Sequence, residues 1–418
     1  MELKKYNANH TQVLKINQIV RTISETHKFD KDKLIAINTS DVENGVMGNG
    51  TLTFVDELKG QFKKTIVKDD ILFSEIRPAN RRFAKVTTKN TKDYVVSTKL
   101  MVLRKYNEDV DLEYFYYCLT NQPFLDILQR RAENRIGSFP QITFDLLSEY
   151  AFPIPPISEQ KRISSVISTL DKKIALNRQI NQNLEAMAKQ LYDYWFVQFD
   201  FPNEEGKPYK SSGGEMVWNE KLKRNIPVGW HCGNLFEIAV FTNGLACQKF
   251  RPKDNEVPLP VIKIREMHDG ISVDTEKVTS NIPESVKVYN GDVLFSWSAS
   301  LEVMLWAYGL GGLNQHIFKV TSANDFPKSF YYFQLLDYVD VFKKMAEARK
   351  TTMGHITQDH LQQSTIAIPD NKDIADKFEE LISPIFKQIV KLQEEISNFI
   401  KQRDELLPLL MNGQITIE

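Results

Sequence analysis

The chain has 418 residues, more than one hydrophobic core usually serves, so at least two domains are expected. With 42% hydrophobic and 26% charged residues it has the composition of a soluble globular protein, and no apolar run predicts a membrane span or a signal peptide. The net charge is −1, so any contact with DNA would have to come from a local basic patch. The three cysteines are scattered, which argues against a disulfide framework or a zinc site and fits a reducing cytoplasm.

The first predicted domain, residues 1–152, mixes strand-like and helical stretches. ILFSEI at 71–76 and YVVSTKLMVL at 94–103 predict buried strands, and residues 111–135 have helical spacing. In a DNA reader, Lys and Arg would hold phosphates, while Arg, Asn, Gln and Ser would read base edges. The candidates of these types are Ser74, Arg77, Asn80, Arg81, Arg82, Arg130, Arg131, Arg135, Ser138 and Gln141. We expect the clusters 77–82 and 130–141 to lie in loops.

A long helix is predicted within residues 153–200, after a proline-led entry at 153–156. Its buried positions alternate steps of four and three, which is the seam of a coiled coil. The seam residues are Ile163, Ile167, Leu170, Ile174, Asn177, Asn181, Leu184, Ala188, Leu191 and Trp195. A helix of this extent would be roughly 50 Å long at about 1.5 Å per residue. The two asparagines in the seam are expected to fix its register.

Residues 201–215 have the composition of an exposed linker, and residues 216–370 form the second predicted domain. VLFSWS at 293–298 and NQHIFKV at 314–320 predict strands, residues 327–350 predict a helix, and GLGG at 309–312 predicts a loop. The DNA-contacting candidates here are Ser296, Trp297, Ser298, Gln315, His316, Lys343, Lys344, Arg349, Lys350, Thr351, Thr352 and His355.

The second long helix is predicted within residues 371–418 and has the same phase as the first. Adding 215 to each seam position of the first helix gives Phe378, Ile382, Ile385, Ile389, Leu392, Ile396, Phe399, Arg403, Leu406 and Leu410, nine of them apolar. Pro384 lies inside this pattern, so we expect the helix to kink there or to begin after Ser383. Two helices in one phase favour mutual packing as a spacer.

The chain is an internal repeat. DDILFS at 69–74 corresponds to GDVLFS at 291–296, FYY at 115–117 to FYY at 330–332, and QITFDLL at 141–147 to HITQDHL at 355–361. The expected fold class is α+β, with two repeated domains separated by two long helices in an antiparallel coiled coil. RPANRRF at 77–83 has little likeness to SASLEVM at 298–304, so one scaffold would carry two different reading surfaces.

No catalytic motif is apparent. The chain lacks a phosphate-binding G-x-x-x-x-G-K-[ST] loop, the tetrapeptide of amino-methylating DNA methyltransferases, a nuclease carboxylate–lysine cluster and H-E-x-x-H. We therefore expect a non-catalytic chain with no metal site. Two alternatives stay open: a coiled-coil scaffold with two protein-binding heads and no DNA role, and a self-contained methyltransferase or nuclease.

The sequence resembles the specificity subunits of type I restriction–modification systems. PIPPISEQKRI at 153–163 is similar to the entry of that family's first conserved helix, and residues 177–202 and 206–218 are similar to its central region and the linker that follows. The resemblance implies two target-recognition domains that read a bipartite, asymmetric site in double-stranded DNA. It also implies two modification subunits with S-adenosylmethionine, and two restriction subunits with ATP and Mg. It assigns no base-contacting residue.

Overall fold

The structure is a computed structural model that describes residues 3–4, 11–58, 60–134, 141–298, 300–348, 358–411 and 414–417. It divides into two compact units, one of residues 1–172 and 399–418 and one of residues 173–398. Each long helix contributes one part to each unit. Along the described chain, no helix is long and apolar enough to cross a membrane.

The first half of the chain begins with strands, continues with three short helices and ends in a long one. The strands are β1 (Leu3–Lys4), β2 (Gln12–Lys15), β3 (Val20–Thr22), β4 (Lys33–Ile37), β5 (Val42–Glu43), β6 (Val46–Met47), β7 (Thr51–Phe54), β8 (Phe62–Lys64), β9 (Ile71–Ser74), β10 (Phe83–Lys85), β11 (Tyr94–Ser97), β12 (Leu100–Lys105) and β13 (Ala151–Ile154). The helices are α1 (Leu112–Thr120), α2 (Gln122–Glu133), α3 (Phe144–Ser148) and α4 (Ile157–Tyr192).

The second half begins after a π-helical turn at Asp193–Val197; it also contains a long helix near its end, but two short helices lie between its strands. Its strands are β14 (Met216–Asn219), β15 (Arg224–Pro227), β16 (Trp230–Gly233), β17 (Ala239–Asn243), β18 (Leu259–Ile262), β19 (Lys277–Val278), β20 (Lys287–Val288), β21 (Val293–Ser296), β22 (Glu302–Leu305), β23 (Gly311–Leu313), β24 (Ile317–Ser322), β25 (Ile366–Pro369) and β26 (Thr416–Ile417). Its helices are α5 (Leu235–Ile238), α6 (Ile264–Asp269), α7 (Lys328–Ala348), α8 (Gln358–Gln362) and α9 (Asp373–Met411).

The two units share one sheet topology, which confirms the repeat. One sheet has the order β10-β9-β12-β3 in the first unit and β22-β21-β24-β17 in the second. The other has the order β7-β4-β11-β8 and β19-β18-β23-β20, with a parallel pair at its centre in both units. The pairs β13-β2 and β25-β16 also correspond.

The helical spacing at 111–135 is confirmed for residues 112–133, which form two helices because Asn121 ends α1 and its side chain caps α2 by accepting a hydrogen bond from Phe124 N at 2.9 Å. Two other local predictions need correction. The GLGG stretch does not form a loop throughout, because Gly311 and Gly312 lie on β23, where a Cβ at Gly311 would stand 2.7 Å from Ile262 Cδ1. Of the two alternatives predicted at Pro384, a helix start after Ser383 is wrong, because α9 starts at Asp373 and continues through Pro384.

The predicted seam is the buried face of both long helices: every seam residue is buried or half-buried. In the first unit, Ile163 and Ile167 join the core under β9 and β12, together with Leu410. In the second unit, Phe378 packs among aromatic rings, including Trp195 at 5.5 Å between ring centroids. The helices therefore contribute core surface to both units.

The stretch predicted as a linker makes specific contacts in the second unit. Asp200 accepts hydrogen bonds from Ser211 N and Ser211 Oγ, both at 2.7 Å. The ring of Tyr209 stacks on Phe201 with 4.8 Å between centroids, and Phe201 stacks on Trp230. Residues 200–211 are thus held as a folded turn against the start of the second domain.

Candidate nucleic-acid interface

The turn after β9 is fixed by two of its arginines and leaves other polar side chains to solvent. Arg81 Nε donates to Asn44 Oδ1 at 2.7 Å and its NH1 donates to Gln122, while Arg82 lies 3.5 Å from Glu43 Oε2. Burial, with Arg403 nearby, lowers the pKa of Arg81. Arg77 and Asn80 are exposed, and within the described chain the Arg77 side chain makes no hydrogen bond or ion pair.

Helix α2 and residue 141 meet this turn. Ala79 N donates to Gln129 Oε1 at 3.1 Å, and Ile76 pairs with Gln141 in an antiparallel bridge. Arg130 and Arg131 are exposed on the last turn of α2, so the expectation of a loop is wrong for them. The structure thus brings residues 77–80, the exposed Arg130 and Arg131, and the half-buried Gln141 to one edge of the first unit.

Two candidate serines have a structural role at the strand end in both units. Ser74 Oγ donates to Ile76 O at 3.2 Å, and Ser296 Oγ donates to Ser298 O at 3.2 Å. Ser74 is 3% exposed and Ser296 is 1% exposed, and Ser298 is buried as well. We therefore exclude these three serines from the candidate surface.

The matching edge of the second unit is aromatic. Trp297 lies 5.6 Å from His316 between ring centroids, and its Nε1 donates to Asn243 Oδ1 at 3.4 Å. Gln315 Nε2 lies 3.3 Å from His316 Nε2, whereas the buried His316 Nδ1 has no hydrogen-bond partner in the described structure. Gly244 permits the close approach of the Asn314 backbone, because a Cβ there would stand 2.2 Å from Asn314 O.

An equivalent backbone hydrogen bond occurs at the edge of each unit and shows which positions of the two edges correspond. Glu75 N donates to Lys99 O at 3.0 Å in the first unit, and Trp297 N donates to His316 O at 3.4 Å in the second. Glu75 and Trp297 each follow the structural serine, so the two positions are equivalent. Glu75 accepts a hydrogen bond from Gln141 Nε2 at 2.7 Å. The scaffold therefore presents a carboxylate, an amide and a lysine in one unit, and an indole and an imidazole in the other.

Sequence reasoning missed Lys99 and Asn243, which lie beside the candidates. Lys99 is the counterpart of His316 through the strand pairing, which only the structure provides. In the second unit, Lys343 and Lys344 are exposed on α7, and Lys343 lies 3.5 Å from Asp340. The remaining candidates lie outside the described residues; they are Arg135, Ser138, Arg349, Lys350, Thr351, Thr352 and His355. No group of three or more His, Cys, Asp or Glu side chains among the residues described could hold a metal ion.

Comparison with known proteins identifies the class. The family model described as "Type I restriction modification DNA specificity domain" matches residues 10–186 and 227–404, most of the chain. The chain therefore belongs to this family, as a type I specificity subunit that carries the domain twice.

Individual relatives cover most of the chain. It is 28% identical over 458 aligned residues to the type I restriction enzyme HindI specificity subunit of Haemophilus influenzae, covering 96% of this chain and 98% of that protein. It is 25% identical over 315 residues to the MjaIX specificity subunit of Methanocaldococcus jannaschii, covering 73% of this chain and 69% of the relative. The crystal structure of a type I restriction–modification S subunit from M. genitalium shares the fold, with a TM-score of 0.56, 15% identity and 98% coverage of both chains.

Proposed function

We propose that each domain reads one half of a bipartite, asymmetric site in double-stranded DNA through the edge described above. The observation that carries this proposal is the equivalence of Glu75 and Trp297 on matching strand ends. A carboxylate accepts hydrogen bonds and an indole ring makes apolar and stacking contacts, so the two edges would favour different bases. The exposed Arg77, Arg130 and Arg131 would hold phosphates beside the first half-site.

We propose that α4 and α9 pair as an antiparallel coiled coil and set the spacing of the half-sites. Within the second unit, Asn177 Nδ2 donates to Glu395 Oε2 at 3.0 Å and Asn181 Nδ2 donates to Ile389 O at 3.3 Å, so the sequence numbers rise on one helix as they fall on the other. The buried asparagines support a fixed register. Removing one heptad from both helices should alter the gap between the half-sites and leave both half-sites unchanged.

The chemistry of the complex would lie on partners. The helices would dock two modification subunits, which bring S-adenosylmethionine, and two restriction subunits would bring ATP and Mg. This chain would be a non-catalytic subunit that works in the cytoplasm. The lack of methyltransferase, nuclease and phosphate-loop motifs in its sequence supports this division.

Mapping of methylated adenines in cells that express the chain with its modification subunit tests the reading proposal. Wild type should give two half-sites with a constant gap. Trp297→Ala should relax the half-site read by the second unit and leave the other unchanged, because each specific base contact is worth about 1–3 kcal/mol of discrimination. Glu75→Gln should relax the half-site that the first unit reads and leave the half-site of the second unit unchanged.

Trp218→Ala is a matched control, because Trp218 is an exposed tryptophan on the β14–β15 hairpin. It should leave both half-sites intact. The reading proposal fails if Trp297→Ala and Trp218→Ala give the same pattern of methylation, or if methylation has no sequence preference with the wild-type chain.

A further inference from the structure

The second unit contains a cavity of about 340 Å³, bounded by α4, β22, α7 and α9. Its wall contains apolar and aromatic side chains, which include Ala188, Tyr332, Phe333, Leu336, Phe386 and Ile389. It also contains polar groups, which are Asn181, Glu185, Glu302, Gln393 and the hydroxyls of Tyr308 and Tyr332. The cavity is separate from the edge that carries Trp297 and His316, since neither residue lines it.

Asn181 supplies an unused hydrogen-bond acceptor to this cavity. The side chain is only 7% exposed, and its Nδ2 is engaged by Ile389 O at 3.3 Å. Its Oδ1 is buried and accepts no hydrogen bond within the described part of the chain. A buried acceptor without a donor is unfavourable, so a ligand that donates to Asn181 Oδ1 would gain from this site.

Two carboxylates make the same cavity acidic. Glu302 Oε2 is buried without a well-aligned hydrogen bond from the described residues, although His268 Nε2 lies 3.2 Å away. Glu185 lies at the rim, where burial raises its pKa. Burial raises the pKa of Tyr332, and the charges of Glu185 and Glu302 raise it further, so both carboxylates act on one wall.

Among the residues that the structure describes, the lining includes no lysine, arginine or histidine. Outside it, His268 faces Glu302. Burial raises the pKa of Tyr308, and the nearby charge of Arg178 opposes that rise. Acceptors, negative charge and aromatic rings around one cavity select for a cation with N–H donors and select against an anion.

We propose that this cavity binds one organic cation, an alkylammonium or a guanidinium, through Asn181 Oδ1 and Glu302 against the aromatic wall. The cation is either a free amine or the end of a lysine or arginine side chain of a protein partner. A neutral ligand of the same shape binds much more weakly, because it leaves the carboxylate without a charged donor.

Calorimetric titration of the full chain with butylammonium chloride tests the proposal, with butanol and sodium butyrate as probes of the same length. Only butylammonium is expected to bind. Asn181→Leu and Glu302→Gln should each weaken it about tenfold, as expected for loss of a hydrogen bond to a charged group. Asn181→Asp should strengthen it, which keeps the test valid if Glu302→Gln folds poorly.

Asn177→Leu is the matched control. It removes the neighbouring seam amide, which is also buried but does not line the cavity, and should leave the affinity unchanged. Equal binding of butanol and butylammonium overturns the proposal. So does an affinity that Asn181→Leu and Asn181→Asp both leave at the wild-type value.

A second titration, with the modification subunit bound, distinguishes the two sources of the cation and rests on the proposed function. Loss of butylammonium binding in that complex identifies a side chain of the partner as the occupant. Unchanged binding in the complex identifies a free amine. Titration of the chain alone does not depend on that assembly, so failure of the proposed function would leave its result interpretable.

Discussion

Arg403 is the one charged residue in the seam of α9, and its contacts predict a measurable coupling with Asp171 in the first unit. Arg403 NH1 donates to Asp171 Oδ1 at 3.0 Å, and Tyr117 OH donates to Asp171 Oδ2 at 2.8 Å. Burial alone would lower the pKa of Arg403, but the charges of Asp404 and Asp171 outweigh it and raise the pKa. The pair therefore keeps a charged group stable at an otherwise apolar position.

Arg403→Met should destabilise the first unit by about 1–2 kcal/mol. A hydrogen bond to a charged group contributes about 1.5–3 kcal/mol, and the value is reduced here because the Asp171 side chain is 37% exposed and screened by solvent. Asp171→Asn should remove the charge pair while the Tyr117 hydrogen bond is kept. A double-mutant cycle of these two changes should give a coupling free energy of about 1 kcal/mol.

Hydrogen exchange of the β12 amides is the suitable assay. The five tryptophans of the chain, at 195, 218, 230, 297 and 306, lie in residues 173–398, so their fluorescence reports on the second unit only. Lys401→Met is the control on the same helix, because Lys401 is 74% exposed and 3.9 Å from Glu405. A coupling energy near zero, or an equal effect of Lys401→Met, would refute this account of Arg403.

Two further predictions concern the second unit. Phe378→Ala should destabilise it by about 3–5 kcal/mol in urea unfolding followed by tryptophan fluorescence, because Phe378 is fully buried among aromatic rings. Leu381→Ala is the control, at a position 49% exposed on the same helix, and should cost under about 1 kcal/mol. Equal unfolding midpoints for the two variants would contradict the packing of Phe378. Burial would lower the pKa of His231, but hydrogen bonds with Asp370 at 2.5 Å and Glu237 at 3.2 Å outweigh it and raise the pKa. The stability that His231 contributes is therefore complete below its unfolded pKa of about 6.5 and is lost as pH rises through the higher folded value. His231→Gln should lower the melting temperature more at pH 6 than at pH 9, and an equal loss at both would show that the imidazolium is not involved.

The repeat and the two long helices could be predicted from the sequence. Burial on one helix face leaves a pattern at steps of three and four, so the seam from Ile163 to Trp195 and its copy from Phe378 to Leu410 were apparent without coordinates. Short strand motifs at a nearly constant offset indicated the second domain. These signals are local, because each depends on neighbours within one element.

The candidate interface was only partly predictable, because side-chain roles depend on contacts between distant segments. Arg77 and Arg81 look alike in the sequence, yet Arg81 is an anchor bonded to Asn44 and Gln122 while Arg77 is free in solvent within the described chain. The burial of Ser74 in a turn and the equivalence of Lys99 and His316 were not apparent from the sequence.

Tertiary structure likewise determined the secondary structure at two glycines and the hydrogen bonding of a seam amide. Gly311 and Gly312 lie on a central strand, at positions where neighbouring side chains already fill the space of a Cβ. Asn181 was predicted as a seam residue, but only the packing of α4, β22, α7 and α9 leaves its oxygen unpartnered in a cavity within the described structure. Periodicity records which face of an element is buried, whereas the partner of each buried atom is set by strand pairing and helix packing across more than a hundred residues.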